Sequence, residues 1–219
     1  MLFGASGPYL CNAATAFFTT ARKARLIESA GLQSVRCFVV ASCGWEVRML
    51  NAGQPAPLFE LPDADLELFN LGDQLGQHLM VLYFYAKDDT PGCTAQAIEF
   101  SDLDDDFRRC DCTVLGVSRD ECFTHADFRD KHGLTVRLLS DIDGEVCRRY
   151  GVWREREVDG KLRFCMTRST FIIDRKGVIR YAQYGVNPRG HAGEVLERVR
   201  ALHMKGIRNA HQQELGRHP

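Results

Sequence analysis

The sequence predicts an α/β fold built on a mixed central sheet. Three observations carry this. From residue 49 onward, apolar β-rich runs alternate with segments of helical spacing. The run Leu79–Tyr85 is apolar without interruption, as a strand covered on both faces requires. Ser169–Ile173 and Val178–Tyr184 flank the turn residues Asp174-Arg175-Lys176-Gly177, which predicts an antiparallel hairpin.

The elements follow in order. Pro55–Pro62 reads as extended, with Phe59 and Leu61 alternating. Leu79–Tyr85 is the first central strand. Thr94–Arg109 has helical spacing, with Ala97, Phe100 and Phe107 on one face. Cys112–Val117 is a second central strand. Thr124–His132 is a helix with Gly133 placed to end it in a left-handed conformation. Val136–Leu139 is a short strand, and Asp143 is expected to cap a helix running to about Tyr150. After the hairpin, a last helix is expected over Ala192–Lys205, with Val195, Leu196, Val199 and Leu202 facing inward. The tail 206–219 is polar and reads as loose.

The segment Thr90-Pro91-Gly92-Cys93-Thr94 lies between the first strand and the first helix. That order puts Cys93 at a helix N-terminus, where free amides and the positive end of the dipole favour a thiolate. The thiolate is the nucleophilic form of cysteine. A cysteine alone would read as a small core residue. Thr90, a hydroxyl one turn away, and the Pro-Gly turn that brings backbone close to a ligand argue for chemistry instead.

The run YFYAKDDTPGCT, residues 83–94, resembles the active-site loop of peroxiredoxins of the Q type, also called the bacterioferritin comigratory protein family. A second match is RSTFIID, Arg168–Asp174; weaker ones are LGVSRD (115–120), LLSD (138–141) and GHAGEVL (190–196). The resemblance runs from about Leu50 to Leu202. It implies a thioredoxin-like fold and a thiol peroxidase without a cofactor. Cys93 would attack a peroxide of hydrogen or of an organic group and become a sulfenic acid. Arg168 would fix the peroxide and stabilise the leaving oxygen. Thr90 would hydrogen-bond the thiolate or the peroxide, the Gly92 and Cys93 amides would complete the donors, and Gln96 would order the loop. Arg168 alone would read as a surface arginine and Thr90 alone as a turn residue; together with Cys93 they make a constellation. One departure stands out: the family's loop carries a proline where this chain has Ala86.

The cysteine that would resolve the sulfenic acid is the open point. Relatives carry it five residues after the first, here Ile98, or in the following helix, here Arg129. Neither is a cysteine. Cys122, in the loop after the second central strand, is the first intramolecular candidate; Cys110, Cys112, Cys147 and Cys165 remain. The preferred reading is a single-cysteine cycle reduced by an external thiol such as thioredoxin, glutaredoxin or glutathione. The alternative reading is a peroxide sensor or redox switch without turnover. A thioredoxin-type dithiol enzyme needs Cys-x-x-Cys, which is absent around Cys93. Cys110, Cys112, Cys122 and His125 do not have zinc spacing, so no metal is expected.

Composition agrees with an enzyme of one domain. The chain has 219 residues, a net charge of −1 and nine cysteines, an odd number that does not suit a disulfide scaffold. Neither nucleic-acid nor membrane partners are implied by this charge, and no apolar run is long enough to cross a bilayer. Reduced cytoplasmic thiols are expected, and the family resemblance implies a monomer or weak dimer. Residues 1–48 differ, with five basic and two acidic residues. They read either as a transit segment directing organelle import or, preferably, because Met49–Pro57 resembles the first residues of a Q-type peroxiredoxin, as a misassigned start, with disorder or a loosely attached helix expected.

Overall fold

The computed structural model describes residues 49–158 and 160–215. The expectations for 1–48 and for the last four positions of the tail lie outside them. In chain order the strands and helices are β1 Glu60–Pro62, β2 Leu68–Asn70, β3 Leu79–Phe84, α1 Pro91–Asp102, α2 Asp104–Arg109, β4 Cys112–Ser118, α3 Cys122–His132, β5 Arg137–Ser140, α4 Glu145–Arg149, β6 Trp153–Val158, β7 Lys161–Met166, β8 Ser169–Ile173, β9 Ile179–Tyr184 and α5 His191–Leu215.

Five strands form the central sheet in the order β5-β4-β3-β8-β9. β3, β4 and β5 run parallel, joined through helices, while β8 runs antiparallel to β3, and β9 runs antiparallel to β8. The mixed sheet follows from the two connection types: helical crossovers permit parallel neighbours and the short Asp174–Gly177 turn requires an antiparallel one. Strand periodicity then divides the core. Val81 and Tyr83 face one layer with Phe100 of α1, Phe107 of α2 and Val195 and Val199 of α5. Met80, Leu82 and Phe84 face the other, with Phe69 of β2, Val146 of α4 and Tyr150 at the end of that helix. All six residues of β3 are buried, which accounts for its unbroken apolar sequence. The β1–β2 hairpin and a β6–β7 ribbon lie outside this sheet. The fold is the thioredoxin-like α/β arrangement expected.

Four local readings change. The helix expected over Thr94–Arg109 starts earlier, at Pro91, and is interrupted at Leu103 (φ −101°, ψ 4°). Asp104, Asp105 and Asp106 then open α2, where the new helix dipole favours them. α3 begins at Cys122, so that residue is helical and not in a loop. The helix after β5 is capped by Asp141 instead of Asp143: its carboxylate accepts the Val146 and Cys147 amides at 3.3 and 2.7 Å. α5 continues past Gly206 to Leu215. A helix anchored by Val195, Leu196 and Val199 has already met its nucleation cost, so a polar continuation adds hydrogen bonds cheaply. The β6–β7 ribbon is an addition to the expected elements.

Candidate active site

β3 ends at Phe84, and five residues later the chain turns back at Asp89, a non-glycine residue at φ +57°. Thr90 is extended (φ −90°, ψ 145°) and precedes Pro91, whose fixed φ suits the first helical position. Cys93 therefore sits in the first turn of α1, 2 % exposed. The Thr94 amide donates to the Thr90 carbonyl at 2.8 Å. Among the described residues, the Gly92 and Cys93 amides have no backbone acceptor, as a helix start dictates.

The opposite wall comes from the far end of the chain. β8 pairs antiparallel with β3, bringing Ser169 opposite Phe84 and so placing Arg168 beside the loop. The Arg168 carbonyl is anchored by the Gly185 and Val186 amides at 2.8 and 3.1 Å. Its guanidinium forks: Nη2 donates to Cys93 Sγ at 3.1 Å, and Nη1 donates to Gln96 Oε1. Gln96 is fully buried one turn past Cys93. A Cβ on Gly92 would lie 3.6 Å from Arg168 Nη2 and 3.5 Å from Pro188 Cγ, so the bare glycine leaves the approach to the guanidinium open.

Burial pushes the Cys93 thiol up, but the Thr90 hydroxyl, the Lys87 backbone and the Arg168 charge and hydrogen bond outweigh it, and the net shift is downward. The Thr90 hydroxyl carries one proton and has two acceptors within reach. It donates to the Lys87 carbonyl at 3.1 Å, and the ionised sulfur is the stronger acceptor once Cys93 loses its proton. The other cysteines contrast: burial drives the Cys112 and Cys147 thiols upward, away from reactivity.

The sequence and fold around the buried Cys93 are shared with known proteins. The AhpC/TSA family model matches residues 52–182. The chain is 41% identical over 150 residues to a putative peroxiredoxin bcp of Coxiella burnetii, covering 68% of this chain and 99% of that one. It is 41% identical over 147 residues to peroxiredoxin Bcp of Escherichia coli, covering 67% and 94%. Among solved structures, a PrxQ cysteine mutant of Xylella fastidiosa superposes with a TM-score of 0.66 at 34% identity, covering 70% and 98%. The bacterioferritin comigratory protein of Xanthomonas campestris gives 0.64 at 34% identity, covering 66% and 92%.

The chain belongs to the AhpC/TSA family.

Within it, the chain falls among the Q-type peroxiredoxins, thiol peroxidases that take a peroxide and a thiol reductant. The fold of this AhpC/TSA protein also sorts the remaining cysteines, all unpaired in the described residues. Cys112 pairs with Leu79 and Val117 with Phe84, so Cys112 lies about 16 Å away along the sheet, at the end opposite Cys93. Cys110 precedes it at that same end. Cys147 packs in the layer on the other side of the sheet. Cys122 opens α3 at the Cys93 end and is 6 % exposed. Cys165 also lies at that end, three residues before Arg168, and is half-buried.

Sequence reasoning did not find Asp88 and His125. Asp88 accepts the Tyr85 hydroxyl at 2.7 Å and lies 2.7 Å from His125 Nδ1, all three side chains being buried. Their separation in the chain hides the pair, and the local sign is a polar Asp88 within the loop 83–94. His125 is thereby engaged with a carboxylate, and among the described residues no group of three metal-binding side chains occurs. Nor is any described helix long and apolar enough to cross a membrane.

Proposed function

We propose that Cys93 is the peroxidatic cysteine of this peroxiredoxin and that Thr90, Gly92, Arg168 and Gln96 assemble its substrate site. The observation that supports this best is the 3.1 Å contact between Arg168 Nη2 and Cys93 Sγ. The thiolate sulfur attacks one oxygen of hydrogen peroxide or an alkyl hydroperoxide; the S–O bond forms and the O–O bond breaks. The leaving water or alcohol oxygen carries the developing charge, faced by the guanidinium and the Gly92 and Cys93 amides, and takes up a proton. Gln96 holds the second arm of the fork, so that Arg168 aims one nitrogen at the reacting atoms. The bacterioferritin comigratory protein of Xanthomonas campestris has alkyl peroxide reduction activity, and the same substrate class suits a site built on Cys93 and Arg168.

The sulfenic acid of Cys93 is reduced by an external thiol: sulfur attacks sulfur, water leaves, and a second thiol releases Cys93 from the mixed disulfide. Thioredoxin, glutaredoxin or glutathione fits this role, in a cytoplasmic monomer or weak dimer. Intact mass under non-reducing conditions, after one equivalent of hydrogen peroxide, tests the reading against Cys93→Ser. A Cys93-dependent oxygen adduct is expected. A loss of two hydrogens would mean an internal disulfide, and no Cys93-dependent change would overturn the assignment.

A further inference from the structure

We infer that the buried Asp88–His125 pair is a positioning device that fixes the segment Lys87–Thr90 against the sulfur of Cys93. The inference rests on Cys93 being the reactive thiol.

Asp88 is held by three partners. Its Oδ1 accepts the Tyr85 hydroxyl at 2.7 Å, from the end of β3. Its Oδ2 meets His125 Nδ1 at 2.7 Å, from α3. Its amide donates to Asp120 Oδ2 at 2.8 Å, and that carboxylate is itself bonded by Ser118 Oγ at 2.8 Å, from the end of β4. The far side of the His125 ring reaches the Leu139 carbonyl of β5 at 3.2 Å. The ends of β3 and β4 and helix α3 thus meet at a single loop residue, and β5 braces the histidine behind it.

What that residue controls is the adjacent backbone. The Asp88 amide and the Lys87 carbonyl belong to one peptide plane, and that carbonyl accepts the Thr90 hydroxyl at 3.1 Å. Clamping the Asp88 amide sets the direction of the carbonyl, which holds the Thr90 hydroxyl beside the sulfur. The Lys87 backbone and Thr90 are two of the groups that act on the Cys93 thiolate. On the other side, the Tyr85 amide is tied to the Val117 carbonyl at 3.1 Å, so only Ala86 and Lys87 lie between two fixed points.

A tie serving α3 alone would need no buried polar pair, since apolar residues of similar volume join elements as well or better. The proton between Nδ1 and Oδ2 joins the two side chains wherever it resides, and with the Leu139 carbonyl facing Nε2 the ring cannot turn without losing one partner. That specifies one loop conformation, which the reaction needs because small displacements of reacting groups are expensive.

The test uses the full chain with His125→Gln, Asp88→Asn and Tyr85→Phe. The pH dependence of Cys93 alkylation by iodoacetamide is measured, with the matching Cys93→Ser background subtracted, alongside kcat/KM for hydrogen peroxide and Tm. Expected for His125→Gln and Asp88→Asn is an alkylation midpoint raised by about one pH unit and a kcat/KM lowered roughly tenfold or more, with the KM for reductant unchanged. Tyr85→Phe removes one ligand of the same carboxylate and should shift the midpoint the same way by less; it carries the test if the other variants do not fold. A lowered Tm with an unmoved midpoint in every folded variant overturns this inference alone. A wild-type Cys93 that alkylates like an ordinary thiol overturns the reading of Cys93 as well.

Discussion

Arg168 Nη2 stands 3.1 Å from the sulfur of Cys93, although 75 positions separate the two residues. The antiparallel pairing of β8 with β3 creates this contact, and Gln96 on the second nitrogen makes it directional. A lysine has no second nitrogen to divide between the two acceptors. Arg168→Lys should lower kcat/KM for hydrogen peroxide by about 10²–10³ with the fold retained. Stopped-flow peroxide consumption and circular dichroism check this together; activity within a few-fold of wild type would contradict it.

Ionisation of Cys93 should set the pH dependence of both rate and stability. Its thiol pKa lies below the ordinary value, so the peroxide reaction should be flat above that lowered pKa and fall as pH drops through it. The unfolded chain has the ordinary value, so the thiolate stabilises the fold above the unfolded pKa, and this stabilisation is lost as pH falls towards the folded one. The Tm of wild type relative to Cys93→Ser should accordingly be more favourable at about pH 9 than at about pH 6 in reducing buffer. An unchanged difference would contradict it.

Cys122 lies at the correct end of the sheet for an internal disulfide, yet it is buried in the first turn of α3. That helix is tied to the active-site loop by His125 to Asp88 and by His132 to Asp89 at 2.9 Å. Turnover with thioredoxin should therefore be equal in wild type and Cys122→Ser. A loss in Cys122→Ser would establish the internal route.

Ala86 is exposed, and its amide has no acceptor among the described residues. It follows Tyr85 at the end of a strand, a conformation that a following proline tolerates. Ala86→Pro should leave peroxidase activity intact or raise it, with stability gained by about 0.4–1 kcal/mol from a stiffer unfolded chain. A large loss of activity would show that the loop is not built as the family's is.

Gly116 in β4 lies against the ring of Tyr83. A Cβ there would meet Tyr83 Oη at 2.6 Å and Leu138 Cδ2 at 2.9 Å. Tyr83 cannot withdraw, being stacked on Phe100 at 4.7 Å inside the core. Gly116→Ala should cost about 1–3 kcal/mol, read as a Tm lowered by several degrees in calorimetry. A Tm unchanged from wild type would mean that this layer is more yielding than its packing indicates.

Much of this was legible in the sequence because it is local. An unbroken apolar run marked β3, and a strand followed by helical spacing put Cys93 at a helix N-terminus, although α1 starts three residues earlier than the spacing indicates. Gly133, at φ +63°, ends α3 because no side chain stands in its way there. These features are set by backbone sterics and side-chain period within a few residues. What the tertiary structure alone decided are the contacts between distant segments. Strand order placed the Arg168 fork on Cys93, consigned Cys110 and Cys112 to the far end of the sheet, and brought His125 beneath Asp88. No periodicity encodes such pairings, because they arise only once both faces of the sheet have been buried and the register of five strands is fixed.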